Sequence, residues 1–389
     1  MKNVLIVNQS AELYGADKAI LELIENYPSG YNPIVVLHEE GPLKDILERK
    51  GIEVIKCSVI KVKRGILKPG FFLGLPFEVL KSFKIIRRQL NGRKIDLIHS
   101  NATSVFIGAF YASVFRIKHL WHVHEIIEKP KRIANAYPRI INFFSSIVVF
   151  NSHATEKHFI DKYPKIGKKS LVIYNGIERK SSEISIDHRN KIRSEVFKAQ
   201  DSDLVISLIG RISAIKGQSL LLDSFAECVK KNRNIHLVFI GSYVQGKSEY
   251  YYELVTNIEK YRLKDKVTIL DFKEDIWPFY DATDIIVVPS TEPESFGLVA
   301  TEGMLSKKPV IVSEIGALKE IVINNQSGLY FKANDKQELS EKINLFIENK
   351  DLRTTLSNNG YERVIKNFNT HTFVLKFKQA YDSLAISNL

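Results

Sequence analysis

Short runs of consecutive apolar residues recur along this chain. Most open onto a polar loop, and the loop usually leads into a segment whose apolar positions return every three or four residues. Val4–Val7, Pro33–Leu37, Glu53–Ile55, Asp96–His99, His119–Val123, Ile147–Phe150 and Leu171–Tyr174 are such runs in the first half. Leu204–Ile209, Ile235–Ile240, Val267–Leu270, Ile285–Val288, Val310–Val312 and Gly328–Phe331 repeat the pattern in the second. Unbroken β-branched runs of this length predict strands buried on both faces, which is the mark of a parallel sheet. Between them Ala19, Ile20, Leu23 and Ile24, then Pro42–Lys50, Ser104–Phe115 and Arg132–Phe144, have helical spacing. Alternating strands and helices predict a doubly wound α/β architecture. Residues 178–186 are polar and without pattern, and read as a linker. The expectation is two domains of Rossmann-like type, 1–180 and 181–370, followed by a last helix over about 371–389.

One stretch carries most of the chemistry, Pro289–Met304, with sequence PSTEPESFGLVATEGM. A strand, a polar loop and a helix start follow one another there. Unpaired N–H groups and the positive end of the helix dipole then point outward together, which makes an anion site. Gly297 lets a phosphate approach the backbone. Glu294 precedes the helix and Glu302 lies inside it. Carboxylates repel a diphosphate but accept hydrogen bonds from hydroxyls. A diphosphate flanked by hydroxyls at both ends describes a nucleotide-sugar.

Glu294 and Glu302, with Phe296-Gly297 between them, resemble the donor motif of the retaining glycosyltransferases of family 4, which have the GT-B fold of two Rossmann-like domains facing a cleft. The resemblance implies that Glu294 contacts the donor sugar and Glu302 the ribose, with Ser295, Phe296, Gly297 and Leu298 lining the donor. The family's usual Glu-Ala is Glu302-Gly303 here. Gly210-Arg211, then Lys216-Gly217, resembles the family's pair of diphosphate-gripping cations and puts that role on Arg211 and Lys216. Arg offers a planar fork to phosphate oxygens and Lys a point charge. Fixed cations stabilise the leaving diphosphate more as its charge grows, which is catalysis. Gly241 closes a similar turn after Ile235–Ile240, and Phe272–Tyr280 covers the region where the family holds the base. Tyr14-Gly15-Ala16-Asp17 stands where the family has a Gly-rich loop, which makes Gly15 a donor-side residue. The family also places a His near the donor sugar, after the strand His119–Val123, and His124-Glu125 matches it, with His122 in reserve. In Trp121-His122-Val123-His124 the two histidines alternate, so their rings should face opposite sides. The resemblance further implies that the last helix crosses back onto the first domain, that the leaving phosphate takes the acceptor's proton, and that no cofactor or metal is needed. Asp201-Ser202-Asp203 looks like a metal motif but precedes a strand, at the wrong end of the sheet.

Charge changes the picture in the first half only. The chain has a net charge of +12, and residues 1–180 carry 29 Lys and Arg against 16 Asp and Glu. The remaining residues are therefore close to neutral. A uniformly basic protein would suggest nucleic acid, whereas a basic half beside a neutral half suggests one domain facing an anionic surface or acceptor. The cations concentrate at 61–94, as Lys61, Lys63, Arg64, Lys68, Lys81, Lys84, Arg87, Arg88, Arg93 and Lys94 against Glu78. Phe71, Phe72 and Leu73 lie among them in a Gly70–Gly74 segment expected to be an apolar loop. A cationic amphipathic helix behind such a loop suits an anionic bilayer. A solvated basic face over a core of Val79, Leu80, Phe83 and Ile86 is the plainer alternative. Cys57 and Cys228 give no metal spacing or disulfide framework and suit a reducing cytoplasm. The first residues read as a strand and not a signal peptide, and no run reaches the length of a spanning helix.

The reading is thus a retaining glycosyltransferase that moves a sugar from a UDP-sugar to a glycan or lipid-linked acceptor. Its expected place is the inner face of a bacterial membrane, in surface polysaccharide synthesis, with no nucleic-acid partner. A sugar-nucleotide epimerase on the same fold is one alternative. A basic lipid- or nucleic-acid-binding module is the other, and it gives the two acids no purpose.

Overall fold

The computed structural model describes the backbone of residues 1–60, 69–243, 246 and 248–386, and of residues 69–73 and 386 the backbone alone. The chain divides into two compact units, Met1–Gly176 with Asn369–Leu389, and Ile177–Phe368. The sequence pattern divided after residues 180 and 370.

The first unit holds a seven-stranded sheet of β1 (Lys2–Asn8), β2 (Tyr31–Leu37), β3 (Glu53–Lys56), β4 (Leu97–Asn101), β5 (Lys118–Val123), β6 (Ile147–Phe150) and β7 (Ser170–Val172). Their order is β3-β2-β1-β4-β5-β6-β7, and each neighbouring pair is parallel. The second unit holds β8 (Leu204–Ile209), β9 (Ile235–Ile240), β10 (Val267–Leu270), β11 (Ile285–Val288), β12 (Val310–Ser313) and β13 (Leu329–Phe331). This second sheet is also all parallel, in the order β10-β9-β8-β11-β12-β13. In both sheets the winding reverses once, between β1 and β4 and between β8 and β11. Loops at the carboxyl ends of strands diverge at such a reversal, and open α/β sheets bind ligands there.

Burial on both faces explains the unbroken apolar runs. Val4, Leu5, Ile6 and Val7 are fully buried, as are Ile285, Ile286 and Val287. Burying one such side chain contributes about 1.5–3 kcal/mol. One face of the first sheet is covered by the helix Thr370–Ile386. Its Phe373, Phe377, Ala380, Tyr381 and Leu384 fall at helical spacing and join Val4, Ile6, Leu97 and Leu120 in one core.

The segment Gly70–Gly74 is not a loop. It belongs to the helix Pro69–Leu90, which runs through Pro76. Glycine and proline disfavour helix, but Leu75, Val79, Phe83, Ile86 and Leu90 pack against the core of the first sheet and carry the helix back through them. Leu80 is not part of that core face: it is 66% exposed, and Phe77 is 71% exposed. Lys61, Lys63, Arg64 and Lys68 and the side chains of Phe71, Phe72 and Leu73 lie outside the described residues. Among the described residues no helix is long and apolar enough to cross a membrane. Cys57 and Cys228 are buried free thiols in different units, and burial pushes each up to about 12.

Four histidines, His99, His119, His122 and His124, are buried at the centre of the first unit. Burial lowers His99 and His124 to about 3 and His119 to about 4, and lowers His122 well below its ordinary value. A depressed folded-state value means that the unfolded chain binds these protons more readily. The stabilisation is therefore complete above pH about 6.5 and is lost as pH falls toward 4. Asp17, which burial pushes up to about 6, works in the opposite sense, because its protonation favours the folded state. Thermal unfolding followed by circular dichroism should give a melting temperature that drops between pH 6.5 and 4, with a smaller drop in His99→Gln. An equal drop in both proteins would contradict this account.

Candidate active site

The loops after β8 and β11 meet at the reversal point of the second sheet. After β8 the chain passes Gly210 and Arg211, makes a short 3-10 turn Ala214–Lys216, and enters the helix Gln218–Lys231. Gly217 joins turn to helix with φ +75°, and a Cβ there would lie 2.0 Å from the carbonyl oxygen of Pro289. Only glycine permits both the left-handed backbone and that approach. Two further bonds fasten this loop to the one after β11. The Thr291 N–H donates to the Ile215 carbonyl at 3.0 Å, and the Thr291 hydroxyl to that of Ala214 at 2.9 Å.

This fastening sets Lys216 against Glu294. The Lys216 ammonium donates to Glu294 Oε1 at 2.5 Å, and the Ser290 hydroxyl donates to the same oxygen at 2.7 Å. Burial pushes the Glu294 carboxyl up. The charge of Lys216, the bonds from Lys216 and Ser290 and the charge of Arg211 outweigh that, so the group lies below the usual carboxylate range. Glu294 is thus ionised, and among the described residues its Oε2 has no protein partner. The Gly316-Ala317 turn backs it, with the Ala317 N–H donating to the Glu294 carbonyl at 2.9 Å.

Beyond Glu294 the chain turns through Ser295 and buried Phe296, which packs edge-on to Phe368, and starts the helix Leu298–Leu305. Gly297 caps this helix at φ +107°, without a side-chain cap. The first turn of a helix has N–H groups with no intrahelical partner, and they gather here with the dipole's positive end. Glu302 lies further along the helix, buried, and its Oε2 accepts the Tyr280 hydroxyl at 2.8 Å. Tyr280 is itself fully buried. The carboxylate is therefore held from the side of the helix Trp277–Ala282.

Of the residues picked from sequence, the second unit brings Gly210, Arg211, Lys216, Glu294, Ser295, Phe296, Gly297 and Leu298 to the carboxyl ends of adjacent β8 and β11. Gly241 follows β9, the neighbour of β8, and packs on Gly210. Glu302 sits inside the helix. Sequence reasoning missed Ser290 and Tyr280, which hold the two acids. Their only signals were a hydroxyl directly after Pro289 and a tyrosine in the segment set aside for the base. Asp203 lies at the amino end of β8, where it bonds Lys266 and the Gln200 N–H, a structural role.

Gly15 and His124 belong to the first unit. Gly15 opens the helix Gly15–Glu25 after β1, and His124 directly follows β5. The expectation that His122 and His124 face opposite sides is corrected: their ring centroids are 3.8 Å apart. Strand alternation ends at Val123, so His124 lies outside the pleat and its ring returns to the side of His122. The backbone there is fixed by Glu125, whose Oε2 accepts from the His124 N–H at 3.3 Å and from the Thr103 N–H at 3.0 Å.

Comparison with known proteins extends these local findings. Residues 189–363 match the model of "Glycosyl transferases group 1", and residues 15–180 match that of "Glycosyltransferase Family 4". An uncharacterized glycosyltransferase of Methanocaldococcus jannaschii is 27% identical over 324 residues, which cover 81% of this chain and 82% of that protein. The capsular polysaccharide biosynthesis glycosyltransferase CapM of Staphylococcus aureus is 28% identical over 54% of this chain and 53% of its own length. The crystal structure of Anabaena HepE with UDP and glucose superposes with TM-score 0.85 and 25% identity, over 98% of this chain and 100% of that one. HepE with UDP-glucose gives 0.85 and 26% over the same shares.

Two parallel-sheet units with these neighbours define the GT-B fold, and a protein of the transferase class. Residues 189–363 are similar to the group 1 glycosyltransferases and residues 15–180 to glycosyltransferase family 4, so both units point to a glycosyltransferase.

The site's dependence on Gly217 is open to measurement. Gly217→Ala forces a strained backbone and a clash with Pro289, which should cost about 1–3 kcal/mol of stability. Urea unfolding checks this, and an unchanged midpoint would show that the two loops do not rely on that contact.

Proposed function

We propose that this enzyme transfers a sugar, with retention of anomeric configuration, from a UDP-sugar to a glycan or lipid-linked acceptor in bacterial surface polysaccharide synthesis. The observation that carries the proposal is the Lys216–Glu294 pair at the sheet reversal, beside Arg211 and the uncapped helix end at Gly297. Arg211, Lys216 and the helix N–H groups suit a diphosphate. Oε2 of Glu294 suits a sugar hydroxyl, and Glu302 a ribose hydroxyl. The HepE complexes hold UDP and UDP-glucose, which supports uridine diphosphate as the carrier. CapM, by its name, serves capsular polysaccharide synthesis, which supports a surface glycan as product.

The chemistry follows from charge. Departure of the nucleoside diphosphate puts negative charge on the β-phosphate, and Lys216, already held by Glu294 and with Arg211 nearby, needs no reorganisation to meet it. This does a metal ion's work, so the reaction should proceed in excess chelator. An acceptor hydroxyl attacking from the leaving group's own face can give its proton to that phosphate, and the configuration is kept. Arg211→Ala and Lys216→Ala should each lower turnover about 100-fold or more, as loss of an oxyanion donor does. The product's anomeric proton coupling, read by NMR, tests retention. An inverted product, or near-normal turnover in both variants, would overturn the reading.

The first unit supports an anionic partner, and we assign it to a membrane surface. On the helix Pro69–Leu90, Phe77 and Leu80 stand exposed beside exposed Lys81, Lys84, Arg87 and Arg88. A cavity of about 340 Å³ adjoins it, lined by Arg87, Arg93, Lys94, Arg116 and Lys118 against a single acid, Asp96. Arg93 is engaged by Glu53, but among the described residues Arg87, Arg116 and Lys118 have no carboxylate partner. Each cation near an anionic surface contributes about 1 kcal/mol, screened over about 8 Å at physiological salt. The protein should sediment with vesicles of anionic lipid, not with neutral ones, and high salt should release it. Lys81→Ser, Lys84→Ser, Arg87→Ser and Arg88→Ser together should abolish sedimentation and leave donor hydrolysis intact. Undiminished sedimentation of that variant would leave the cations as a solvated helix face.

A further inference from the structure

Buried polar side chains of the first unit form a continuous line across the carboxyl ends of β1, β4 and β5, where that sheet reverses. His124 Nε2 lies 2.7 Å from Asn101 Oδ1. The Asn101 amide NH₂ donates to Asn8 Oδ1 at 2.7 Å and to the Ala16 carbonyl at 3.1 Å. The Asn8 amide NH₂ donates to Asp17 Oδ1 at 2.8 Å and to the Ser10 carbonyl at 2.8 Å. Asp17 also accepts from the Ser10 hydroxyl at 2.7 Å and from the Tyr14 N–H at 3.3 Å. Asn8 and Asn101 are fully buried, Asp17 is 1% exposed and His124 6%.

The direction of this line is fixed by its acceptors. A backbone carbonyl can only accept, so the Ala16 carbonyl forces Asn101 to turn its NH₂ away from His124. The Ser10 carbonyl does the same for Asn8. Asn101 therefore presents its oxygen to His124, and the imidazole must answer with Nε2–H. Reversing either amide would set two oxygens against each other at two places. The ring keeps its lone pair on Nδ1, which has no protein partner among the described residues.

We infer that Asn8, Asn101 and Asp17 are positioning residues that hold His124 as the Nε2–H tautomer, so that Nδ1 accepts a hydrogen bond from a substrate hydroxyl. The inference rests on the reading that His124 meets the donor sugar, and gives that contact its sense: the sugar donates and the protein accepts. Burial keeps the imidazole uncharged well below neutral pH, so the acceptor lone pair persists across the working range. The same line ties the loop holding Gly15 to His124, because Ala16 and Asp17 are among its members. The Tyr14–Asp17 segment is thus a support for the histidine.

Nitrogen-15 NMR of the whole protein reads the tautomer directly, with His124 assigned by the signals lost in His124→Gln. The wild-type protein should show protonated Nε2 and unprotonated Nδ1 at pH 7.5. Asn101→Ala should mix the tautomers and lower kcat about 10-fold, with KM for the nucleotide-sugar changed less than twofold. A wild-type His124 protonated on Nδ1 overturns the inference, whatever the variants do. A correct tautomer combined with full activity in His124→Gln would leave the positioning intact and remove the sugar contact on which its purpose rests.

Discussion

Lys216 and Glu294 stand 2.5 Å apart because two loops from adjacent strands have been fastened together before either side chain reaches out. Thr291 spans from one loop to the other, and Gly217 lies so close to Pro289 that a methyl group would not fit. The charges are not drawn from a flexible surface. They come from positions where a strand has just ended and a helix is about to begin, at the reversal of a six-stranded sheet. A pair held this way is screened less than an exposed one, and neither partner has to be ordered when an anion arrives. Glu294 does two things at once. It orients the ammonium through Oε1, and it retains Oε2 as an acceptor.

The first unit solves a different electrostatic problem. Its buried centre contains four histidines and a line of hydrogen-bonded amides. Burial keeps the imidazoles neutral, and neighbouring polar groups satisfy them in part, as with His99 Nδ1 and the Tyr381 hydroxyl at 2.8 Å. The positive charge of this unit lies outside, on the helix Pro69–Leu90 and around the cavity lined by Arg116 and Lys118. The interior thus holds hydrogen bonds of fixed sense, and the charge lies at the surface. The second unit holds Arg211 and Lys216 in the loop after β8.

Strand positions were legible because burial on both faces writes an unmistakable run, and all thirteen runs became strands. The positions of Arg211, Lys216 and Glu294 were legible for a related reason: they lie in the loops that follow two of those runs, where the chain's direction is fixed by the sheet. What failed was local geometry set by tertiary contacts. Gly70–Gly74 read as a loop, yet packing of Leu75 and Val79 imposed a helix. His122 and His124 read as opposite, yet the strand stopped one residue too early for alternation to hold. Ser290, Tyr280 and Asn101 carry no motif at all. Their partners lie across a turn, a helix or a neighbouring strand, and only the fold brings them together.

The central claim is that Lys216 and Glu294 act as one unit on the donor. A double-mutant cycle on single-turnover transfer measures this, using Lys216→Ala, Glu294→Ala and the double variant, each first shown to unfold at the wild-type urea midpoint. The account predicts a coupling of about 1–3 kcal/mol, with the double variant little worse than the poorer single one. Losses that simply add would contradict it, and would show two independent side chains that happen to touch.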